Sequence, residues 1–375
     1  MKKIALIGST GSIGVQTLNV VRRYPDKFNI VSLSAGNNTR LFCEQVKEFR
    51  PKVATSICEM EEKLSGVKYF HGEDSFTNAI IDEADIVVVA LVGFKGILAV
   101  IDAINKGKDV ALANKESLVV GGEIVTDLAK EKGVKIVPID SEHSAIWQAL
   151  DFDFNKPFKR IILTASGGAF RDLSPKETIN LTAKDALKHP NWAMGAKITV
   201  DCATMVNKAF EVAEAKWLYN TDISNIDVII HRESIIHSMV EFNDGSTIAQ
   251  MSYPTMELPI QLALSYPERF NLGLKSLDFA SIGKLSFEPL SHEKYPCFSV
   301  VIDAVKKGGV YPALVNGAND MAVELFLKDK IGYGDIYKAL SHVVNTYNEN
   351  ISSDIKGLIF ANNYARKSVR EIFGV

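Results

Sequence analysis

Asp140, Glu142 and Glu211 are the residues of this 375-residue chain whose types and settings first suggest chemistry. Asp140 and Glu142 flank Ser141 in V-P-I-D-S-E-H, directly after the apolar run 136–139. Glu211 ends D-C-A-T-M-V-N-K-A-F-E, where Asn207, Lys208 and Glu211 share a segment of helical character. Carboxylate oxygens are hard ligands that favour Mg²⁺ or Mn²⁺; zinc would look for His or Cys, and His143 next door keeps zinc open. If the 140–142 segment is extended, its i, i+2 spacing turns both acids to one side. Asp140 alone fits a helix cap as well as a ligand, and spacing does not establish that the three acids converge.

Other polar groups are set at similar points. Gly8, Gly11 and Gly14 lie in G-S-T-G-S-I-G, after a short apolar strand. Glycines there allow a tight turn and close approach of backbone amides to a pyrophosphate, with Thr10 and Ser12 adding hydroxyls. Three glycines alone fit a structural turn equally well; the strand before and the helix after favour a nucleotide. The second strand ends in Ser34-Ala35-Gly36-Asn37-Asn38-Thr39-Arg40, without an acid. A carboxylate there would repel a 2′-phosphate by about 4 kcal/mol at contact and an effective dielectric of ~20, so its absence favours NADP. Arg40 fits a phosphate contact or a solvated helix position.

Asn114-Lys115-Glu116 follows another strand end, where Lys115 can hold a substrate oxygen or phosphate and Glu116 can orient it. Ser166-Gly167-Gly168 suits a nest of backbone amides around phosphate. The run H-P-N-W-A-M-G at 189–195 suits a lid over a charged ligand, or an ordered loop around a buried Trp. Cys202, read as close to a strand end, fits a buried thiol better than a nucleophile because no local Cys-His signature accompanies it.

The elements that must position these groups begin as β-α repeats. Strands are expected at 3–7, 30–34, 86–91, 109–113 and 134–139, and helices at 14–23, 40–49, 97–106 and 123–132. This pattern predicts a doubly wound, Rossmann-like parallel sheet. A central α+β catalytic unit follows, with strands at 160–165, 226–230, 236–242 and 247–251 and a hairpin at Asn243-Asp244-Gly245. Residues 268–290 have weak periodicity and read as a connector. Helical stripes at 318–325 and 336–343, with helices at 298–307 and 355–372, predict a C-terminal bundle. The expected domain bounds are 1–140 for the nucleotide, 141–267 for the central unit, a connector at 268–292, and the bundle at 293–375.

Composition narrows the class. The 42 Lys+Arg against 45 Asp+Glu give a net charge of −3, with no basic block for nucleic acid. The apolar N-terminal run is too short for a signal peptide, and the longest apolar stretch, 84–94, is too short to span a membrane. Cys43, Cys58, Cys202 and Cys297 show no metal spacing and no secreted framework, which fits a reducing, cytoplasmic setting.

Six motifs, in order, resemble the 1-deoxy-D-xylulose 5-phosphate reductoisomerase family over nearly the whole chain. They are G-S-T-G-S-I-G at 8–14, L-A-N-K-E-S-L at 112–118, P-I-D-S-E-H at 138–143, S-G-G at 166–168, H-P-N-W-A-M-G at 189–195 and A-T-M-V-N-K-A-F-E at 203–211. The resemblance implies an NADPH- and metal-dependent conversion of 1-deoxy-D-xylulose 5-phosphate to 2-C-methyl-D-erythritol 4-phosphate in non-mevalonate isoprenoid synthesis, by a homodimer. It implies that Thr10, Gly11, Ser12, Ile13, Gly36, Asn37, Asn38, Asn114, Glu116 and Gly195 meet NADPH. Asp140, Glu142 and Glu211 would bind Mn²⁺ or Mg²⁺. Lys115, Ser141, Glu142, Ser166, His189, Asn207, Lys208 and Glu211 would surround the phosphosugar, with Trp192 and Met194 covering it; Lys115, Glu142 and His189 would be catalytic. Cys202 stands in the phosphate region where the family often has Ser, and a thiol is the poorer donor. Asn37 replaces a Lys of some members.

Two other readings compete. A simpler NADP-dependent dehydrogenase would share the glycine loop but need no three-carboxylate set. A nucleotide-sensing module would bind cofactor without consuming it.

Overall fold

Short apolar runs separated by amphipathic helices build the first sheet. The computed structural model describes every residue except Glu61, Asn180 and Ala193. In chain order come β1 (Lys2–Ile7), α1 (Ser12–Arg23), β2 (Phe28–Ala35), α2 (Thr39–Phe49), β3 (Val53–Ser56), β4 (Lys68–His71), β5 (Ile86–Val89), α3 (Gly96–Asn105), β6 (Asp109–Leu112), α4 (Glu116–Lys132) and β7 (Ile136–Pro138). The strands lie in the order β4-β3-β2-β1-β5-β6-β7, and every neighbouring pair is parallel. β5, all Ile and Val, is wholly buried, as expected for a strand covered on both faces. The order reverses between β1 and β5, the kind of switch point beside which open α/β sheets bind ligands.

Helices complete the layer by burying one stripe each. α1 buries Thr17, Leu18, Val20 and Val21, and carries Arg22 and Arg23 in its last turn, where cations favour the helix dipole. α4 starts at Glu116 rather than 123; Gly121 departs from helical geometry within it, and the Gly121-Gly122 pair hides the continuity from propensity. β3 and β4 were not expected. β4, Lys-Tyr-Phe-His at the sheet edge, is largely exposed and has no apolar run to announce it.

α5 (Ser141–Ala149) follows β7. Then come β8 (Arg160–Ala165), the single turns α6 (Pro175–Thr178) and α7 (Ala183–Ala186), α8 (Ala196–Ala203), α9 (Val206–Leu218), β9 (Ile226–Ile230), β10 (Ile236–Glu241) and β11 (Thr247–Met251). After α10 (Glu257–Ser265), the weakly periodic stretch holds α11 (Phe279–Ile282) and the two-residue β12 (Glu288–Pro289). The second sheet runs β11-β10-β8-β9-β12 and is mixed: β8 and β9 are parallel, the other pairs antiparallel. Helices α12 (Pro296–Lys307), α13 (Tyr311–Leu327), α14 (Tyr333–Thr346) and α15 (Ile355–Phe373) end the chain. α13 packs on both α14 and α15. A side chain at Gly317 would place its Cβ 2.4 Å from the Asn362 carbonyl oxygen, so glycine permits the close approach of α13 to α15.

The chain divides into two compact units. The first holds Met1–Ser117, Ile124–Ser144 and Thr255–Leu274; the second holds Leu118–Glu123, Ala145–Pro254 and Lys275–Val375. In the first, α10 packs on α1, Arg23 pairs with Glu257 at 2.8 Å, and Tyr24 and Phe28 meet the Phe270 ring. Among the described residues no helix is long and apolar enough to cross a membrane.

Candidate active site

The glycine loop joins β1 to α1 at the switch point. Gly8 has φ +94°, and a Cβ there would lie 2.6 Å from the Ala90 oxygen; one on Gly14 would lie 2.2 Å from the Gly8 oxygen. Both glycines are therefore demanded by the protein's own backbone. Gly11 differs: its Cβ would come no nearer than 3.4 Å to the Gly8 oxygen, and it is exposed, as is Ser12. Gly11 is the N-cap of α1 and offers no side-chain cap, so the first amides of α1 remain available to an anion. Thr10 and Ile13 are half-buried beside it.

After β2, Gly36 has only the Ile57 Cδ1 within 4.0 Å of its would-be Cβ. Asn38 caps α2, its Oδ1 accepting from the Leu41 amide at 3.3 Å, while Asn37 Oδ1 lies 3.6 Å from Cys58 Sγ. Arg40 is 94% exposed and 3.8 Å from Glu44, the solvated helix position. No acid stands at this strand end, a donor set that fits a phosphorylated ribose.

Asn114 and Glu116 are buried and brace the loop after β5. Asn114 Nδ2 donates to the oxygens of Leu91 and Gly93, each at 3.0 Å, and to Glu116 at 2.8 Å. Glu116 accepts from the Gly93 amide at 3.1 Å. Their contact with this loop places them at the ligand edge of β5 and β6.

The acidic centre forms at the start of α5. Asp140 Oδ1 accepts from the Ser141 amide at 2.9 Å, and the Asp140 carbonyl accepts from the Ser144 amide at 2.8 Å. The segment is thus a helix start, and the expected extended alternation does not hold. Lys115 Nζ pairs with Asp140 Oδ2 at 2.6 Å, both largely buried. Ser141 Oγ donates to Glu142 Oε2. On α9, Asn207 and Lys208 donate to the two oxygens of Glu211, an i+4 and an i+3 pair on one face; Lys208 and Glu211 are almost wholly buried.

Asp140 and Glu142 thus stand at the start of α5, and Glu211 lies on α9 beside Lys208. Carboxylate oxygens of this kind fit a hard divalent cation such as Mg²⁺ or Mn²⁺. Glu214, also almost wholly buried, lies one turn beyond Glu211 on α9; the E-x-x-E spacing was the signal that could have drawn attention to it.

The nest follows β8. Gly167 and Gly168 have φ +81° and +70°, and a Cβ on Gly168 would lie 2.5 Å from the Cys202 oxygen. Cys202 itself is in α8, with its carbonyl beside the nest that follows β8. Ser166 Oγ accepts from the Gly168 amide at 3.2 Å and meets His189 Nε2 at 3.0 Å. His189 Nδ1 accepts from the Asn191 and Trp192 amides at 3.2 and 3.0 Å, so the ring proton belongs on Nε2 and points at Ser166. Burial, helped by the Arg171 charge, pushes the imidazole down to about 4. Trp192 sets its ring against His237, centroids 6.1 Å apart. Met194 is half-buried, Gly195 caps α8 and is exposed, and Ala193 lies outside the described residues. The nest thus brings Ser166, His189 and the α8 end carrying Cys202 together.

Residues 4–122 match a family model described as 1-deoxy-D-xylulose 5-phosphate reductoisomerase. Residues 136–219 match that enzyme's C-terminal domain, and residues 251–368 match a DXP reductoisomerase C-terminal domain. A protein of Chloroherpeton thalassium named 1-deoxy-D-xylulose 5-phosphate reductoisomerase is 46% identical over 380 residues, 98% of this chain and 97% of its own length. Among solved structures, the Zymomonas mobilis reductoisomerase in complex with NADPH has a TM-score of 0.92 at 35% identity, covering 99% of both chains. A DOX-P reductoisomerase in complex with NADPH, fosmidomycin and magnesium has a TM-score of 0.95 at 34% identity, covering 100% of this chain and 98% of its own. Because the likeness runs the length of both chains and takes in the glycine loop, the acids and the nest, this chain belongs to the 1-deoxy-D-xylulose 5-phosphate reductoisomerase family.

Proposed function

We propose that the protein converts 1-deoxy-D-xylulose 5-phosphate to 2-C-methyl-D-erythritol 4-phosphate, using NADPH and Mn²⁺ or Mg²⁺. The observation that carries this reading is the likeness to this family over the whole chain, with Asp140 and Glu142 at the start of α5 and Glu211 on α9. When bound, the metal would hold the vicinal oxygens of the sugar and NADPH would supply the hydride.

The chain's own groups would do the rest. Ser166, His189, Asn207 and Lys208 anchor the phosphate, with Cys202 beside them; His189, neutral and with its proton on Nε2, donates rather than accepts. Binding of this remote group can drive closure of the 189–195 loop and exclude water through Trp192 and Met194. Ser141 orients Glu142, which takes a hydroxyl proton as the carbon skeleton rearranges. Lys115, held by Asp140, returns a proton to the oxygen that becomes the new alcohol. Thr10, Gly11, Ser12 and Ile13 cradle the pyrophosphate, Gly36, Asn37 and Asn38 meet the adenosine end, and Asn114, Glu116 and Gly195 line the nicotinamide end.

The reading includes a homodimer, which light scattering tests, and a reducing cytoplasm, which four free cysteines support. The reaction is tested by NADPH oxidation with 1-deoxy-D-xylulose 5-phosphate. Turnover should appear with added Mn²⁺ and vanish with EDTA. Undiminished reduction after chelation would instead favour a simple dehydrogenase, and cofactor binding without oxidation a sensing module.

A further inference from the structure

Two donors reach one main-chain oxygen beside the nest. Arg171 Nη1 donates to the carbonyls of Ser166 and Arg232, both at 3.1 Å. From the loop above, Asn191 Nδ2 donates to the same Arg232 carbonyl at 2.7 Å and to Ser234 Oγ at 2.6 Å. We infer that Arg171 and Asn191 are positioning residues that latch the 189–195 loop to the phosphate nest through this shared acceptor.

The acceptor is held from several sides. His231 is fully buried. Its Nε2 accepts from the Ile235 and Ile236 amides at 3.2 and 3.1 Å, which puts its ring proton on Nδ1, 2.9 Å from the Ser286 carbonyl. Arg232 reaches Asp172 and Glu288 with its guanidinium, and Ser234 adopts a left-handed φ of +52°. The 231–234 turn is therefore a fixed seat. Arg171 carries the state of Ser166 to that seat, and Asn191 carries the loop. His189 joins the same two parts on the other side, bonding Ser166 through Nε2 and the loop amides through Nδ1. A phosphate that engages Ser166 thus acts on a turn that also seats the loop. Neither Arg171 nor Asn191 needs to touch the reacting atoms.

This inference rests on the proposed function, and its test separates the two. Arg171→Met, Asn191→Ala and the double variant are compared for kcat/KM with the phosphosugar, Mn²⁺ and NADPH affinity, melting temperature, and the change in Trp192 emission on adding inorganic phosphate, read against Trp192→Phe. Each single change should lower kcat/KM by roughly 10- to 100-fold. The double variant should fall little further, because both donors act through one acceptor. The phosphate-induced change in emission should disappear in all three, with Mn²⁺ and NADPH affinity unchanged. Losses that multiply, an intact emission response, or a parallel fall in Mn²⁺ affinity would overturn the latch. Should Arg171→Met not fold, Asn191→Ala decides it alone by emission. If the wild type leaves the phosphosugar unreduced, the proposed function fails while the emission measurement still decides the latch.

Discussion

At the acidic centre the polar groups are charged, buried or half-buried, and carried at the start of α5 and on α9; at the phosphate nest they are mostly hydroxyls, amides and a neutral imidazole carried on loops. In the first region Asp140 is paired with Lys115 and Glu211 with Lys208 before any ligand arrives. Such pairs cost desolvation and persist only with good geometry, which suits a site that must hold a cation in one place. The second keeps its donors on the β8–α6 turn and the 189–195 loop, which suits recognition coupled to closure. The contrast teaches that removing one group should have different consequences in the two regions.

The largest effect should come from Glu211→Gln. It leaves the buried Lys208 ammonium without its carboxylate, so a stability loss of about 3 kcal/mol is expected, together with loss of turnover. Glu142→Gln should lose turnover while keeping its unfolding midpoint, since Glu142 is bonded by the neutral Ser141 hydroxyl. Denaturant titration beside NADPH oxidation distinguishes the two; equal midpoints would remove the distinction between the two acids.

Next in size is Gly14→Ala, whose Cβ would lie 2.2 Å from the Gly8 oxygen. Overpacking of this kind costs about 2 kcal/mol. Gly11→Ala should leave stability unchanged and raise the KM for NADPH if the cofactor approaches, as proposed, on the open side of that glycine. A melting curve and a KM on each variant check this.

The nest should respond to pH where the acidic centre's contrast with it is sharpest. His189 lies near 4 in the folded protein against an ordinary value of 6.5. The unfolded chain takes up the proton first as pH falls. The stability contributed by the neutral ring is therefore complete above 6.5 and declines between 6.5 and about 4. His189→Gln should flatten the stability profile in that window, and an unchanged slope would contradict a buried neutral imidazole. The smallest effect is expected from Cys202→Ser: a hydroxyl is the better donor, and the KM for the phosphosugar should fall about threefold, the worth of one modest hydrogen bond.

Local signals were sufficient where a local rule dictates the outcome. The glycine loop, the β-branched run of β5 and the Asn243-Asp244-Gly245 hairpin each carry their conformation in adjacent residues, and the doubly wound sheet followed from them. β4 escaped because an exposed edge strand needs no apolar alternation. The extended reading of 140–142 failed because Asp140 starts a helix, a capping choice that i, i+2 spacing does not reveal. Arg171 and Arg232 were invisible because their partners lie 61 residues apart in sequence, and nothing in either segment marks the shared carbonyl. The motif order supplied the candidate residues; the fold shows Asp140 and Glu142 at a helix start and Glu211 paired with Lys208 within α9.

Asp140, Glu142 and Glu211 are proposed to share one divalent cation. Titration of the metal-free protein with Mn²⁺, followed by loss of the free-ion paramagnetic resonance signal, measures this without turnover. One site per chain is predicted, weakened at least tenfold by each of Asp140→Asn, Glu142→Gln and Glu211→Gln. Mn²⁺ binding that is unchanged in all three variants would contradict it.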